Sequence, residues 1–161
     1  MLLWVAPERV NKVAVIIYDS VRDGCWPRPS ATREAVELVF RSAGIEVFEQ
    51  RVPYDSGLSA AVFSAPFTSI PGDKGWPHAF VVASTGYKAR IGQTPVGCAV
   101  SIEARLQRYE ILRDFKPVGL VSYGRTSLLI SGPPDEYMQR AITETATEAA
   151  KSLANAILKV R

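Results

Sequence analysis

The sequence has few of the residues that most often carry chemistry. It contains one histidine, His78, and two cysteines, and no Cys/His cluster has the spacing of a zinc site. The glycines near Lys74 lack the spacing and the Lys-Ser/Thr pair of a phosphate loop. We therefore expect no metal and no cofactor, and the sequence favours a non-enzymatic protein over an enzyme.

Charge of one sign is not concentrated anywhere in the chain. The 19 basic and 16 acidic residues give a net charge of +3 and are spread without a run of like charges. Such a balance mildly favours anionic partners, but a dedicated nucleic-acid binder would carry a dense basic stripe. With 161 residues, 47% of them hydrophobic, the chain is expected to form a single domain over residues 1–161.

Long apolar runs are also missing. Residues 1–5 are apolar, but Pro7, Glu8 and Arg9 follow at once, so the run is too short for a membrane-spanning helix. Residues 1–10 fit either an ordered arm or the remainder of a removed leader. We expect a periplasmic or secreted protein if the natural chain has a leader, and a cytoplasmic one otherwise.

What the chain does have is a clear pattern of strands and helices. Residues 96–112 alternate apolar and polar side chains, which predicts a long strand with one apolar face and one polar face. Residues 12–18 are apolar on both faces, as in a central strand buried on two sides. Further strands are predicted at residues 45–52, 79–88 and 118–130, and helices at residues 31–43 and from about 135 onward.

Element order then gives the fold class. We predict an α/β (α+β) domain with a mixed five-stranded sheet, two helices packed on one face and the order β-α-β-β-β-β-α. The first strand, helix and second strand form a parallel unit, and short links make the last three strands an antiparallel meander. The irregular residues 53–77 between them are rich in proline and glycine, and loops of this length are often functional.

Local signals predict where the helices begin and end. Ser30 is the expected N-cap of the first helix and Gly44 its left-handed terminator, with Glu37 on the polar side. The last helix carries a continuous apolar stripe that must lie on the sheet. Its members are Met138, Ile142, Ala146, Ala149, Leu153, Ile157 and Val160.

With both helices on one face, the opposite face of the sheet is expected to be open and polar. Its candidate interface residues are Arg105, Tyr109, Tyr123 and Arg125. Such a face meets water or a second subunit, and long strands leave edges to be covered, so we favour a homo-oligomer. A single-stranded nucleic acid could also stack on these tyrosines, but Glu103 and Glu110 interrupt the basic character of the surface.

The two cysteines allow three interpretations. Cys25 and Cys98 can form one disulfide in an oxidising compartment, worth about 3 to 4 kcal/mol. They can equally be two thiols, with Cys98 as a small core residue. In the third interpretation Cys25 is a nucleophile assisted by His78.

A ligand site is conceivable after the first strand, where open α/β sheets usually bind small molecules. Its candidate residues are Asp19, Asp23, Cys25 and His78. The two carboxylates could hold Mg²⁺ while a nearby arginine meets a phosphate, but acidic residues also form ordinary turns. A small anionic ligand is therefore an alternative partner.

The element order and the segments VAVIIYD and SATREAVELVFRSAGI resemble the small α/β domains of bacterial envelope proteins, such as the amino-terminal domain of TolB. This resemblance implies a periplasmic or membrane-attached module that binds protein partners. No functional residue is carried over, because residues 1–9 do not match the partner-binding tail of that family. The leading hypothesis is thus a binding or assembly module that acts through protein contacts or self-association. The alternative is a small-ligand or anion-binding enzyme with a site at Asp19, Asp23 and Cys25.

Overall fold

The structure, a computed structural model, describes residues 10–47, 78–111, 117–133 and 136–159. Side chains are described in these ranges except at residues 107–130, where the description is of the backbone. The predictions for residues 1–9 and for the loop at 53–77 lie outside the described residues.

The described strands form one mixed five-stranded sheet, and the described helices pack on one of its faces, so the predicted fold class is confirmed. The strand order in space is β2-β1-β3-β4-β5. In chain order the elements are β1 (Lys12–Val21), α1 (Pro29–Ser42), β2 (Glu46–Val47), β3 (His78–Ile91), β4 (Thr94–Ile111), β5 (Pro117–Gly132) and α2 (Glu136–Lys159).

Strand β1 lies inside the sheet between two parallel neighbours. It pairs with β2 through Lys12 and Val13, as the strand-helix-strand unit predicts, and with β3 over nine consecutive residues. Strands β3, β4 and β5 form the predicted antiparallel meander. The parallel pairing of β1 with β3 joins the two halves of the sheet and was not contained in the predicted element order.

Helix α1 begins at a different residue from the one predicted, and it is terminated by the glycine that was predicted to end it. Arg28 occupies the N-cap position and makes no side-chain cap, so the prediction of Ser30 as N-cap is wrong. Pro29 starts the helix instead, because its fixed φ suits the first turn and its missing N–H would have no helical partner there. At the other end Gly44 has a φ of +74°, and the Ile45 N–H donates to the Phe40 carbonyl in a Schellman cap, as predicted.

The main core lies between the helices and the sheet. Phe40 of α1 and Phe80 of β3 meet edge to face at its centre, with ring centroids 5.2 Å apart. The stripe on α2 is confirmed at four buried positions, and Ala149 and Leu153 flank it, half-buried; Val160 lies outside the described residues. The four positions are Met138, Ile142, Ala146 and Ile157.

Glu37 departs from the expected polar face of α1. It is buried, and its carboxylate accepts hydrogen bonds from Arg33 at 2.8 Å and from Arg41 at 3.0 Å. A buried carboxylate requires such partners, since an unpaired charge removed from water is very costly. The helix thus buries more of its circumference than its apolar residues indicate.

The face of the sheet opposite the helices is also partly buried. Ile16, Ala79 and Val81 form a second apolar cluster there, against which Tyr18 packs. This confirms that β1 is buried on both faces. The residues predicted to form an open polar face lie on β4 and β5.

Candidate functional site

The loop after β1 turns sharply and is tied to the sheet. Asp23 and Gly24 both have positive φ, and the Cys25 N–H donates to the Arg22 carbonyl, which closes a tight turn. Asp-Gly is a favoured pair for such turns because both residues tolerate the left-handed region. The chain therefore reverses direction directly after β1.

This reversal brings Cys25 over the sheet to β4. Cys25 and Cys98 form a disulfide with a Cα–Cα distance of 5.8 Å, and both residues are buried. Strand β3 lies between β1 and β4 in the sheet, so the disulfide links the loop to the strand beyond its neighbour. Of the three interpretations of the cysteines, the structure shows the disulfide, and in this state Cys25 has no free thiolate to act as a nucleophile.

The two aspartates of the candidate ligand site bond to backbone. Asp19 Oδ1 accepts the Val21 N–H at 2.9 Å, and Asp23 Oδ2 accepts the Lys88 N–H at 3.1 Å. Burial raises the pKa of Asp19, and its hydrogen bond from Val21 opposes that rise in part. The Asp19 bond lies within the end of β1, and the Asp23 bond holds the loop against β3.

His78 lies at the other end of the sheet. It pairs in register with Val13 at the start of β1, whereas Cys98 pairs with Lys88. His78 and Lys88 are ten residue steps apart along β3, which corresponds to about 33 Å of strand. The structure therefore does not bring His78 together with Asp19, Asp23 or Cys25.

A buried polar cluster behind the loop was missed by sequence reasoning. The Gln139 amide of α2 accepts the Arg28 N–H at 2.8 Å and donates to the Arg28 carbonyl at 3.0 Å. Its nitrogen also lies 3.2 Å from the hydroxyls of both Thr32 and Thr143, which bond to each other. Trp26 donates to Thr32, so the cluster locks the loop, α1 and α2 together. Gln139 lies next to the apolar stripe of α2 and not on it, so the stripe gives no signal of this cluster in the sequence.

The candidate interface residues lie on β4 and β5. Arg105 donates to Glu103 at 2.9 Å, and both side chains are half-buried. In register, Arg105 pairs with Arg125, while a bulge shifts Tyr123 opposite Leu106, a core residue of the helix side. The expectation that Tyr123 shares a face with Arg105 stays a prediction. The side chains of Tyr109, Tyr123 and Arg125 lie outside the described residues.

Strand β5 forms one edge of the sheet. It runs for 16 residues and pairs with β4, and no other described strand pairs with its outer side. Its sequence carries one charged residue, Arg125. From Thr126 to Gly132 it pairs with β4 without any register shift.

The hairpin of β3 and β4 extends beyond both neighbouring strands. The last residue of β3 that pairs with β1 is Gly86, and the first residue of β4 that pairs with β5 is Cys98. Beyond them the two strands pair only with each other among the described residues and turn at Gly92, with a bulge next to Ala89. Both strands are longer than predicted here, because a bulge accommodates a proline, Pro95, that would end a regular inner strand.

No group of three or more histidine, cysteine or acidic side chains that could hold a metal ion is found among the described residues. In the same part of the chain, no helix is long and apolar enough to cross a membrane.

Comparison with known proteins gives structural similarities alone. No family model matches the chain, and no curated protein matches it. A minor lipoprotein from Acinetobacter baumannii is similar in structure with a TM-score of 0.43 and 8% identity, covering 91% of this chain and 94% of the lipoprotein. A PelC dodecamer from Paraburkholderia phytofirmans has a TM-score of 0.37 and 13% identity, covering 89% of this chain and 86% of PelC. At these values neither likeness carries a conclusion about this chain. Neither is a TolB protein, so the resemblance to TolB stays a prediction.

Proposed function

We propose that this protein is a non-enzymatic assembly module that associates with further copies of itself through the outer edge of β5. The observation that carries the proposal is the length and chemistry of that edge. An edge strand presents a row of backbone N–H and C=O groups that can pair with another strand. Natural edge strands are usually short, bulged or charged, which prevents such pairing.

Strand β5 has little of this protection between Thr126 and Gly132. This segment is regular in register with β4 and contains no charged residue. Its outer groups are therefore arranged to bond to a strand of a second molecule. A copy of the same chain offers the same row of groups, so two copies can pair edge to edge around a two-fold axis.

The disulfide supports an oxidising compartment for this assembly. Bonds of this kind persist in the bacterial periplasm and outside cells and are rare in the cytoplasm. A clamped loop and a locked helix pair also give a rigid scaffold, which is what an assembly surface requires. We therefore place the module in the cell envelope or outside the cell.

Proline substitution tests the edge directly. Of two neighbouring strand residues, one N–H bonds to β4 and the other faces the edge. Of the variants Ser127→Pro and Leu128→Pro, the one that removes the N–H facing the edge should be a stable monomer. Light scattering after gel filtration measures this. The other should lose a ladder hydrogen bond and melt at a lower temperature.

A lysine at the edge provides a second, milder variant. Ser127→Lys keeps every backbone group but adds the charge that natural edge strands use for protection. We expect this variant to have a lower molecular mass in solution than the wild type. Lys151→Ala, on the exposed face of α2, is the control and should keep the wild-type mass. If the proline and lysine variants all keep the wild-type mass, β5 is not the assembly edge.

A second candidate function is a small-ligand site near the carboxyl end of β1, beside the middle of β3. The Ser84 hydroxyl is buried there without a hydrogen-bond partner among the described residues. Ser84 pairs in register with Asp19, whose pKa is raised by burial. Thermal shift with inorganic phosphate and with magnesium chloride tests this site. Stabilisation that disappears in Asp19→Ala supports it, and an unchanged shift dismisses it.

A further inference from the structure

The projecting hairpin of β3 and β4 is an unusual surface for a protein in water. We call residues 87–97 the hairpin arm; its β3 side, the five residues after Gly86, spans about 16 Å. Three of the large apolar side chains that are most exposed in the described structure lie on it. They are Tyr87 at 59%, Ile91 at 74% and Val96 at 56% relative exposure.

The charges of the arm have one sign. Lys88 and Arg90 alternate with Tyr87 and Ile91 along β3, and the arm contains no aspartate or glutamate. At its base, the carboxylate of Asp23 accepts the Lys88 N–H. A partner that binds the arm should therefore be negatively charged and should also make contact with apolar side chains.

These two requirements exclude the simplest alternatives. A contact between the arms of two copies would bring the Lys88 and Arg90 side chains of both together, and like charges repel each other. A single-stranded nucleic acid is anionic, but it would need several aromatic platforms, and the arm offers one tyrosine. Isoleucine and valine at the tip have no role in such a contact.

We propose that the hairpin arm binds the surface of an anionic lipid bilayer. Ile91 and Val96 at the tip enter the boundary between headgroups and acyl chains, and Tyr87 lies at the headgroup level, as amphipathic aromatic residues do. Lys88 and Arg90 meet the acidic headgroups. This inference does not depend on the assembly through β5, because the arm lies beyond the last residue pair of β4 and β5.

Vesicle co-sedimentation of the full chain tests the proposal. We expect binding to vesicles of phosphatidylcholine mixed with phosphatidylglycerol, weaker binding to phosphatidylcholine alone, and loss of binding as salt is raised. The double variant Ile91→Asp/Val96→Asp should reduce the bound fraction about tenfold, since affinity scales with the apolar area that enters the bilayer. Lys88→Gln/Arg90→Gln should remove the preference for the anionic vesicles.

A matched control is available on α1. Leu38 is also a highly exposed apolar residue, at 63%, but it lies outside the arm. Leu38→Asp should bind vesicles like the wild type. The proposal is overturned if Leu38→Asp loses as much vesicle binding as Ile91→Asp/Val96→Asp. It is also overturned if the wild type binds neither kind of vesicle. A change of mass in Ile91→Asp/Val96→Asp without any vesicle binding would instead place the arm in a contact between copies.

Discussion

Cys25 and Cys98 join the loop after β1 to the strand that lies beyond its neighbour in the sheet. The bond closes a segment of the chain with a sequence separation of 73 residues, which includes α1, β2 and β3. Because a cross-link of this length restricts the unfolded chain strongly, it stabilises the fold even where few contacts are made. The same bond holds the loop beside the base of the hairpin arm.

Removal of the disulfide should cost stability without changing the fold. We expect Cys25→Ala/Cys98→Ala to lower the free energy of unfolding by about 4 kcal/mol, from the loop-closure entropy of a closed segment of this size. Urea unfolding of the oxidised wild type and of the double variant measures this difference. A reduced wild type should match the variant, and a loss below about 1 kcal/mol would contradict the account.

Substitution of Gln139 should lower the free energy of unfolding, because its side chain links α2 to the start of α1. Gln139→Leu keeps the side-chain volume but leaves the Arg28 N–H and carbonyl without the partner they have in the structure. We expect a loss of about 1 to 3 kcal/mol, the cost of unpaired buried polar groups. Gln139→Glu keeps the acceptor for the Arg28 N–H and loses the donors, so urea unfolding should place it between the wild type and Gln139→Leu at neutral pH.

Asp19 should make the protein less stable as pH rises. Burial raises its native pKa, so the folded state binds the proton more tightly than the unfolded state, whose aspartate pKa is about 3.9. The penalty is therefore fully present above the native pKa and is relieved as pH falls through that pKa toward the unfolded value. Asp19→Asn keeps the oxygen that accepts the Val21 N–H and removes the charge. The melting temperature of Asp19→Asn should be higher than that of the wild type at pH 7, and the two temperatures should converge at low pH. A lower melting temperature of the variant at pH 7 would show that the charge stabilises the loop.

The aromatic and basic residues of β5 should contribute to self-association. Tyr123 and Arg125 lie on the proposed edge strand, and tyrosine and arginine often dominate the binding energy of interfaces. Alanine at both positions should weaken self-association about tenfold, which corresponds to about 1.4 kcal/mol. Sedimentation over a dilution series measures this constant, and an unchanged constant would exclude these two side chains from the contact.

Sequence reasoning predicted the fold where one local rule decided the outcome. Gly44 ends α1 because the left-handed region is needed there, and alternation in β4 predicts which residues, such as Cys98, face the core. It was wrong at Ser30, where two signals competed and the fixed φ of Pro29 decided the start of the helix. Local preference ranks candidates but does not say which of two neighbours prevails.

The candidate site was harder to predict because its features depend on distant partners. Gln139 follows Arg28 by 111 residues, and nothing local indicates that the two bond. The length of the hairpin arm depends on where β1 and β5 stop pairing with their neighbours, which is a property of the whole sheet. The separation of His78 from Cys25 follows from the parallel register of β1 and β3, which no short pattern reveals.

Amide hydrogen exchange along β5 tests the proposed assembly most directly. In a monomer, alternate N–H groups between Thr126 and Gly132 bond to β4 and the others face solvent, so half of them exchange quickly. The account predicts that both sets are protected at high protein concentration and that the outer set becomes fast on dilution. Fast exchange of alternate residues at every concentration would show that the edge of β5 stays free and would contradict the proposed function.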